Sequence, residues 1–277
     1  MATGRMEFHA ESTMQHMNFS FVFPNDVEME EVRDLRHYER GTRNLILLHG
    51  LTGTDTDWVY GGVAQQIAIQ YNLNVFMPTT GNSFYLDRGY EGGNYCTFIG
   101  KELPGYIKST FGIEMKREDT MIGGLSMGGY GAVHVALAFP ETFSAVIALS
   151  SAIHTEDMAA QMRAGAEDAI PLKMAKDIFG DPDQLLTSDI NPKVQLQMLK
   201  AAGQQIPFIY MACGTEDDLC GANRAFADYL AKEGADHFYE EGPGKHDWFF
   251  WNEYLDRGLK HTLSQPLGET QPLGGTP

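Results

Sequence analysis

The chain has 277 residues, of which 43% are hydrophobic and 11% aromatic, and it carries a net charge of −17 at pH 7. That composition supplies enough apolar side chain for one large core and excludes the disordered class. The acidity sets the chain against nucleic acid and against anionic membrane surfaces as partners.

Three cysteines, Cys96, Cys213 and Cys220, are too few for a disulfide framework, and no Cys/His spacing fits a zinc site. A reducing, cytoplasmic setting is expected, with neither a metal nor a cofactor. Met1 to Phe23 holds no apolar block of the signal-peptide kind, and no run approaches the ~18 apolar residues that span a bilayer. Met1–Arg5 read as an addition ahead of a start at Met6.

In chain order, residues 1–16 are expected to be an N-terminal extension. Met17–Phe23 alternates apolar and polar residues and predicts an antiparallel strand, closed by Pro24-Asn25-Asp26. Short apolar runs follow at Arg43–His49, Asn74–Met77, Asp119–Gly123, Ala145–Leu149, Pro207–Cys213 and His237–Glu240, brief enough for buried parallel strands. Helical patterns lie between them at Trp58–Gln70, Cys96–Phe111, Met127–Ala138, Arg224–Glu233 and Asp247–Thr262. Strand and helix alternating in this way predict an α/β domain over 17–263 with a mostly parallel, doubly wound sheet. Its site should lie at the carboxyl ends of the strands.

Two segments break the rhythm. Residues 151–192 are polar, Met/Asp-rich and interrupted by Pro171 and Gly180-Asp181-Pro182. They predict a small helical cap inserted over the strand ends, which could also join copies into a homo-oligomer. Residues 264–277 repeat Gln-Pro-Leu-Gly and are expected to be a disordered tail.

Gly124-Leu125-Ser126-Met127-Gly128 falls between a strand-like run and a helical one. A serine becomes a useful nucleophile when a base sits beside it and its oxygen stands clear of the backbone. A sharp strand-to-helix turn exposes that oxygen, and it needs small residues two positions either side. The N–H of Met127, at the start of the helix, is then a donor for developing negative charge.

On a doubly wound parallel sheet, the partners of a serine at such a strand-to-helix turn follow in the order acid, then histidine. Glu216, Asp217 and Asp218 follow the run Pro207–Gly214; Asp217 is the leading choice, with Asp218 and Glu216 behind it. Of the later histidines, His237 sits in a predicted strand and His261 near the end of the last helix, where it would offset the helix dipole. His246, in the glycine-rich loop Gly242–Trp248, is the candidate base. After the first parallel strand, His49-Gly50-Leu51 would turn the N–H of Leu51 toward the serine, pairing it with that of Met127 as an oxyanion hole. His49 precedes the serine, and order gives it a structural hydrogen-bonding role.

Trp58, Tyr60, Phe84, Tyr85, Tyr90, Tyr95 and Trp248 gather in predicted loops at the same end. Core packing accounts for some of them. Asn82–Tyr95 is too polar to be core throughout, so Trp58, Phe84, Tyr85, Tyr95 and Trp248 are expected to wall the substrate site.

Leu48–Gly53, Gly92–Pro104, Gly124–Ala132, Cys213–Asp217 and Gly244–Trp248 together resemble the tributyrin-esterase group. That group belongs with esterase D, the S-formylglutathione hydrolases and the feruloyl and acetyl-xylan esterases among the α/β-hydrolases. The resemblance implies Ser126 as nucleophile, Asp217 as acid, His246 as base, and Leu51 and Met127 as oxyanion donors. It implies hydrolysis of a small-molecule or oligosaccharide ester, with short acyl groups first and cinnamoyl or feruloyl esters second. S-formylglutathione hydrolases and acyltransferases share the fold, but the former carry histidines where this chain has Leu125 and Tyr130.

Overall fold

The computed structural model describes residues 1–33, 35–89, 92–166 and 170–264, without the side chains of Met29 and Glu31. Eight strands form one sheet: β1 (Ala2–Ala10), β2 (Gln15–Phe23), β3 (Arg43–Leu48), β4 (Leu73–Pro78), β5 (Thr120–Leu125), β6 (Ala145–Leu149), β7 (Phe208–Gly214) and β8 (His237–Gly242). Their spatial order is β1-β2-β4-β3-β5-β6-β7-β8. The pairs β1/β2 and β2/β4 are antiparallel, and the rest of the sheet is parallel. This is the doubly wound sheet of an α/β-hydrolase, and residues of β3, β5 and β6 are buried throughout or nearly so because helices cover both faces. Two hydrophobic cores result, one on each face. Phe19, Ile46, Ile122 and Val146 look into one; Leu45, Met121, Ile147 and Tyr210 look into the other.

Residues 1–16 are not an extension ahead of the sheet. β1 pairs with β2 along its whole length, from Ala2 opposite Phe23 to Ala10 opposite Gln15. Its alternating, half-exposed pattern is that of an edge strand. The Arg5 guanidinium donates to the buried carboxylate of Asp55 at 2.7 Å, and Ser20 and Thr79 donate to the same group. Residues 2–5 are thus structural parts of the sheet.

The helix predicted over Trp58–Gln70 is two, Asp57–Tyr60 and Ala64–Tyr71. Between them Gly61 presses on the Trp248 ring and Gly62 on Trp58, contacts that leave no room for a side chain. The segment 151–192 does fold as short helices, Thr155–Ala164, Leu172–Phe179 and Pro182–Thr187. Phe179 meets Phe84 at 4.8 Å, and the Tyr130 hydroxyl donates to the Ile190 carbonyl at 2.5 Å, so the cap rests on the helix that follows β5. Pro192–Ala201, for which the sequence predicts no element, is a helix whose first turn is capped by Asn191. No helix among the described residues is long and apolar enough to cross a membrane. The expected tail lies, from residue 265 on, outside the described residues.

Candidate active site

Between Thr120 and Leu137 every residue is buried except Ser126. It has φ 55° and ψ −118°, a left-handed-side conformation that a non-glycine residue adopts at a cost. Its N–H continues the β5/β6 ladder to the Leu149 carbonyl at 2.9 Å, and its own carbonyl starts the helix Met127–Ala138. The flanking glycines have a packing reason. A Cβ on Gly124 would run into the Gly128 carbonyl, and one on Gly128 would lie 2.5 Å from the Leu48 oxygen and 2.6 Å from that of His49. The helix start is therefore wedged against the ends of β5 and β3. Met127 opens the helix, so its N–H is one of those the helix cannot satisfy by itself.

The loop after β3 lies against the serine: a Cβ on Gly50 would sit 3.6 Å from that of Ser126. Leu51 follows directly. His49 is buried; its Nε2 accepts the Thr80 N–H at 3.1 Å, which places the proton on Nδ1, 2.7 Å from the Gly50 carbonyl. Burial pushes its pKa down, so the ring stays neutral. Thr52, with φ 63°, donates its N–H to Asn82 Oδ1 at 2.7 Å.

Among the three carboxylates after β7, the fold distinguishes one. Glu216 and Asp218 are exposed, whereas Asp217 is buried and its Oδ2 lies 2.8 Å from His246 Nδ1. Burial works to raise the Asp217 pKa, but hydrogen bonds from His246 and the Leu219 N–H outweigh it and hold the group below the usual carboxylate range. The two loops are stitched by their backbones, Thr215 N–H to the Gly242 carbonyl at 2.8 Å and Glu216 N–H to that of Gly244 at 3.0 Å. Asp247 caps the last helix, Trp248–Ser264, by accepting the N–H groups of Phe249 and Phe250. The imidazole of His246 also meets the Trp251 ring edge-on at 5.0 Å.

The remaining histidines have other partners. His237 Nδ1 sits 2.8 Å from the Ala235 carbonyl, and His261, in the last turn of the final helix as expected, stacks on Phe238 at 4.1 Å.

The expected aromatic wall is mostly not a wall. Trp58 and Tyr85 are fully buried. Trp58 donates from Nε1 to the Leu48 carbonyl at 3.1 Å, and Tyr85 donates its hydroxyl to that of His49 at 2.9 Å. Both anchor the strand end that carries Leu51. Phe84 is buried between Tyr130 and Phe179. Trp248 is half-buried, edge-on to Trp58 and Trp251, and Tyr95 is half-buried beside Arg88. Tyr90 lies outside the described residues. Tyr60 and Phe249 are instead exposed, 85% and 89% accessible. Phe249 hides in sequence within Trp-Phe-Phe-Trp, a run that reads as core. Asn82 and Asn223 also escape a sequence reading; the Asn223 amide bridges the Ser151 backbone and the Leu219 carbonyl, tying the end of β6 to the acid loop.

Comparison with known proteins places the family. The chain matches the Esterase family over residues 10–262. It is 38% identical over 233 residues to an acetyl esterase of Caldicellulosiruptor saccharolyticus, covering 84% of each chain. Among solved structures it resembles a fluorophosphonate-binding serine hydrolase of Staphylococcus aureus, FphF, with a TM-score of 0.79 and 25% identity over 95% of this chain and 99% of that one. It likewise resembles the S-formylglutathione hydrolase FrmB of Staphylococcus aureus, with a TM-score of 0.78 and 27% identity over 95% and 98% of the two chains.

Proposed function

This chain belongs to the Esterase family and is a carboxylesterase, and on that premise we propose that Ser126, His246 and Asp217 hydrolyse short-chain acyl esters, acetyl to butyryl, through an acyl-enzyme. The observation that carries the assignment is the pairing of His246 Nδ1 with the buried Asp217 carboxylate at 2.8 Å, downstream of a serine held in a strained turn. With Nδ1 engaged, Nε2 is the nitrogen left to act as base. Ser126 Oγ attacks the acyl carbonyl carbon as Nε2 takes its proton. The tetrahedral oxyanion is met by the N–H groups of Met127 and Leu51. Collapse breaks the ester C–O bond, and the imidazolium returns the proton to the departing alcohol. Water then attacks the acyl carbonyl, gives its proton to Nε2, and the proton passes to Ser126 as the acid leaves. Asp217, kept ionised, holds the imidazole in the working tautomer and offsets its transient positive charge.

The acyl preference rests on the same packing. Burial of Phe84 and Tyr85 removes two of the rings that a cinnamoyl group would need, which favours small acyl groups. The test is kcat/KM for p-nitrophenyl acetate, butyrate and octanoate and for methyl ferulate, with Ser126→Ala as blank. Acetate and butyrate should lead, octanoate should fall well behind, and methyl ferulate should lie near the blank. Removing the serine hydroxyl should cost several orders of magnitude in turnover with the fold intact. A Ser126→Ala protein as active as the parent would overturn the assignment, and methyl ferulate as the best substrate would overturn the acyl preference.

A further inference from the structure

The outer side of β1 is an open sheet edge. In the order β1-β2-β4 the strand has β2 on one side and, among the described residues, no strand on the other. It is 9 residues long, its register with β2 runs unbroken from Ala2 to Ala10, and it holds neither a proline nor a bulge. Edges of that length are ordinarily blunted, because unpaired N–H and C=O groups template another strand. Which groups are unpaired follows from the neighbouring ladder. The Thr79 N–H donates to the Asn18 carbonyl at 2.9 Å, so the backbone of Asn18 is turned toward β4. Backbone groups alternate sides along a strand, so Met17, Phe19 and Phe21 are turned toward β1, where they meet Phe8, Met6 and Gly4. Thr3, Arg5, Glu7 and His9 are left with their N–H and C=O groups directed outward.

We propose that this edge pairs with β1 of a second copy of the chain, antiparallel about a two-fold axis through Met6, so that two sheets become one. An axis there sets Arg5 opposite the partner's Glu7 and Glu7 opposite the partner's Arg5, with Thr3 and His9 opposed in the same way. These are the residues whose backbone groups are free, so each opposed pair exchanges both of its hydrogen bonds. Charge singles out the register. An axis at Arg5 would set arginine against arginine, and one at Glu7 would set glutamate against glutamate. A slip by one residue would oppose free backbone groups to ones already used by β2. Only the axis at Met6 pairs the strand over its full length. The two charged side chains are exposed and in place: Arg5 is held by Asp55, and Glu7 lies 3.3 Å from His16. On the other face the axis brings Met6 against its own copy. That side chain is half-buried, and the Tyr106 hydroxyl donates to its sulfur at 3.3 Å, so apolar contact continues across the junction. The net charge of −17 opposes association at long range, but ordinary salt screens it. Ser126 follows β5, four strands in from this edge, so the pairing stands apart from the ester chemistry.

The experiment is sedimentation velocity of the parent, Glu7→Pro and Glu7→Lys over a dilution series in about 0.15 M salt, with near-UV circular dichroism as the check of folding. Glu7→Pro deletes an outward N–H that β2 does not use, and Glu7→Lys sets a second cation against Arg5. The parent should be a dimer that dissociates on dilution, and both variants should weaken association about ten-fold or more with unchanged dichroism. Thiol cross-linking with diamide reads the register, since the three native cysteines are buried. Met6→Cys, on the axis, would face its copy at a Cα separation of about 4.5 Å, within reach of a disulfide. His9→Cys would stand roughly 20 Å from its own copy. Cross-linked dimer should therefore form in Met6→Cys and not in His9→Cys. A parent that stays monomeric at ~100 µM, a dimer that persists in both Glu7 variants, or a failure of Met6→Cys to cross-link overturns the proposal.

Discussion

Gly214 and Gly244 touch. A Cβ on Gly214 would run into the carbonyl oxygen of Gly244, and this contact sets the loop of Asp217 against that of His246. The 2.8 Å bond between the two side chains depends on it. Gly214→Ala should push the loops apart and lower kcat by about 10²-fold with little change in KM, the scale of a 1 Å misplacement. Gly221 provides the contrast. It lies in the helix Cys220–Glu233, and a Cβ there would meet nothing within 4 Å, so Gly221→Ala should leave kcat alone and stabilise by up to about 1 kcal/mol. Steady-state kinetics and urea denaturation of the two proteins give the comparison; an unimpaired kcat in Gly214→Ala would refute the role given to the contact.

Asn82 should matter to turnover although it stands far from Ser126 in sequence. It holds the N–H of Thr52, whose positive φ keeps the loop after Leu51 in place. Asn82→Ala should lower kcat several-fold and leave KM within about two-fold, because it relaxes an oxyanion donor and not a binding surface. A change in KM alone would place Asn82 in substrate binding.

Trp58 should behave as a core residue. Trp58→Ala would empty a fully buried site and leave the Leu48 carbonyl without its donor, costing about 3–5 kcal/mol in unfolding free energy. Phe249→Ala, at an exposed ring, should stay within about 0.5 kcal/mol of the parent. Equal stability of the two variants would contradict the packing described for Trp58.

His134 should make the fold acid-sensitive. It is buried between the stacked Tyr130 ring and Gln195, and burial lowers its pKa from 6.5 to about 4. Between those values the unfolded chain binds the proton and the native one does not, so stability is full above about 6.5 and falls as pH drops toward 4. The shift corresponds to at most about 3 kcal/mol. His134→Gln should flatten the dependence of Tm on pH in that window. An unchanged slope would assign the acid sensitivity to other groups, of which His37 is one, its pKa also lowered to about 4 by burial and by Arg40, Arg36 and Arg43.

The sequence by itself determined the parallel strands from β3 to β8, the turn at Ser126, and the order in which an acid and a histidine must follow. Those features are local or ordinal: a buried parallel strand is a short apolar run, a nucleophile turn needs small residues at fixed offsets, and chain order survives any packing. The edge strand β1 escaped because half its residues face water and its pairing partner lies across a hairpin. Only the tertiary structure decided which of three adjacent carboxylates is buried beside His246, because burial depends on what the neighbouring loop covers. The same holds for the aromatics. Trp58 and Tyr85 carry the composition of a binding wall, yet their positions turn them inward to hold the carbonyls of Leu48 and His49, while Tyr60 and Phe249 face the solvent. Ring chemistry is written in the sequence; which way a ring faces is settled by the elements that close around it.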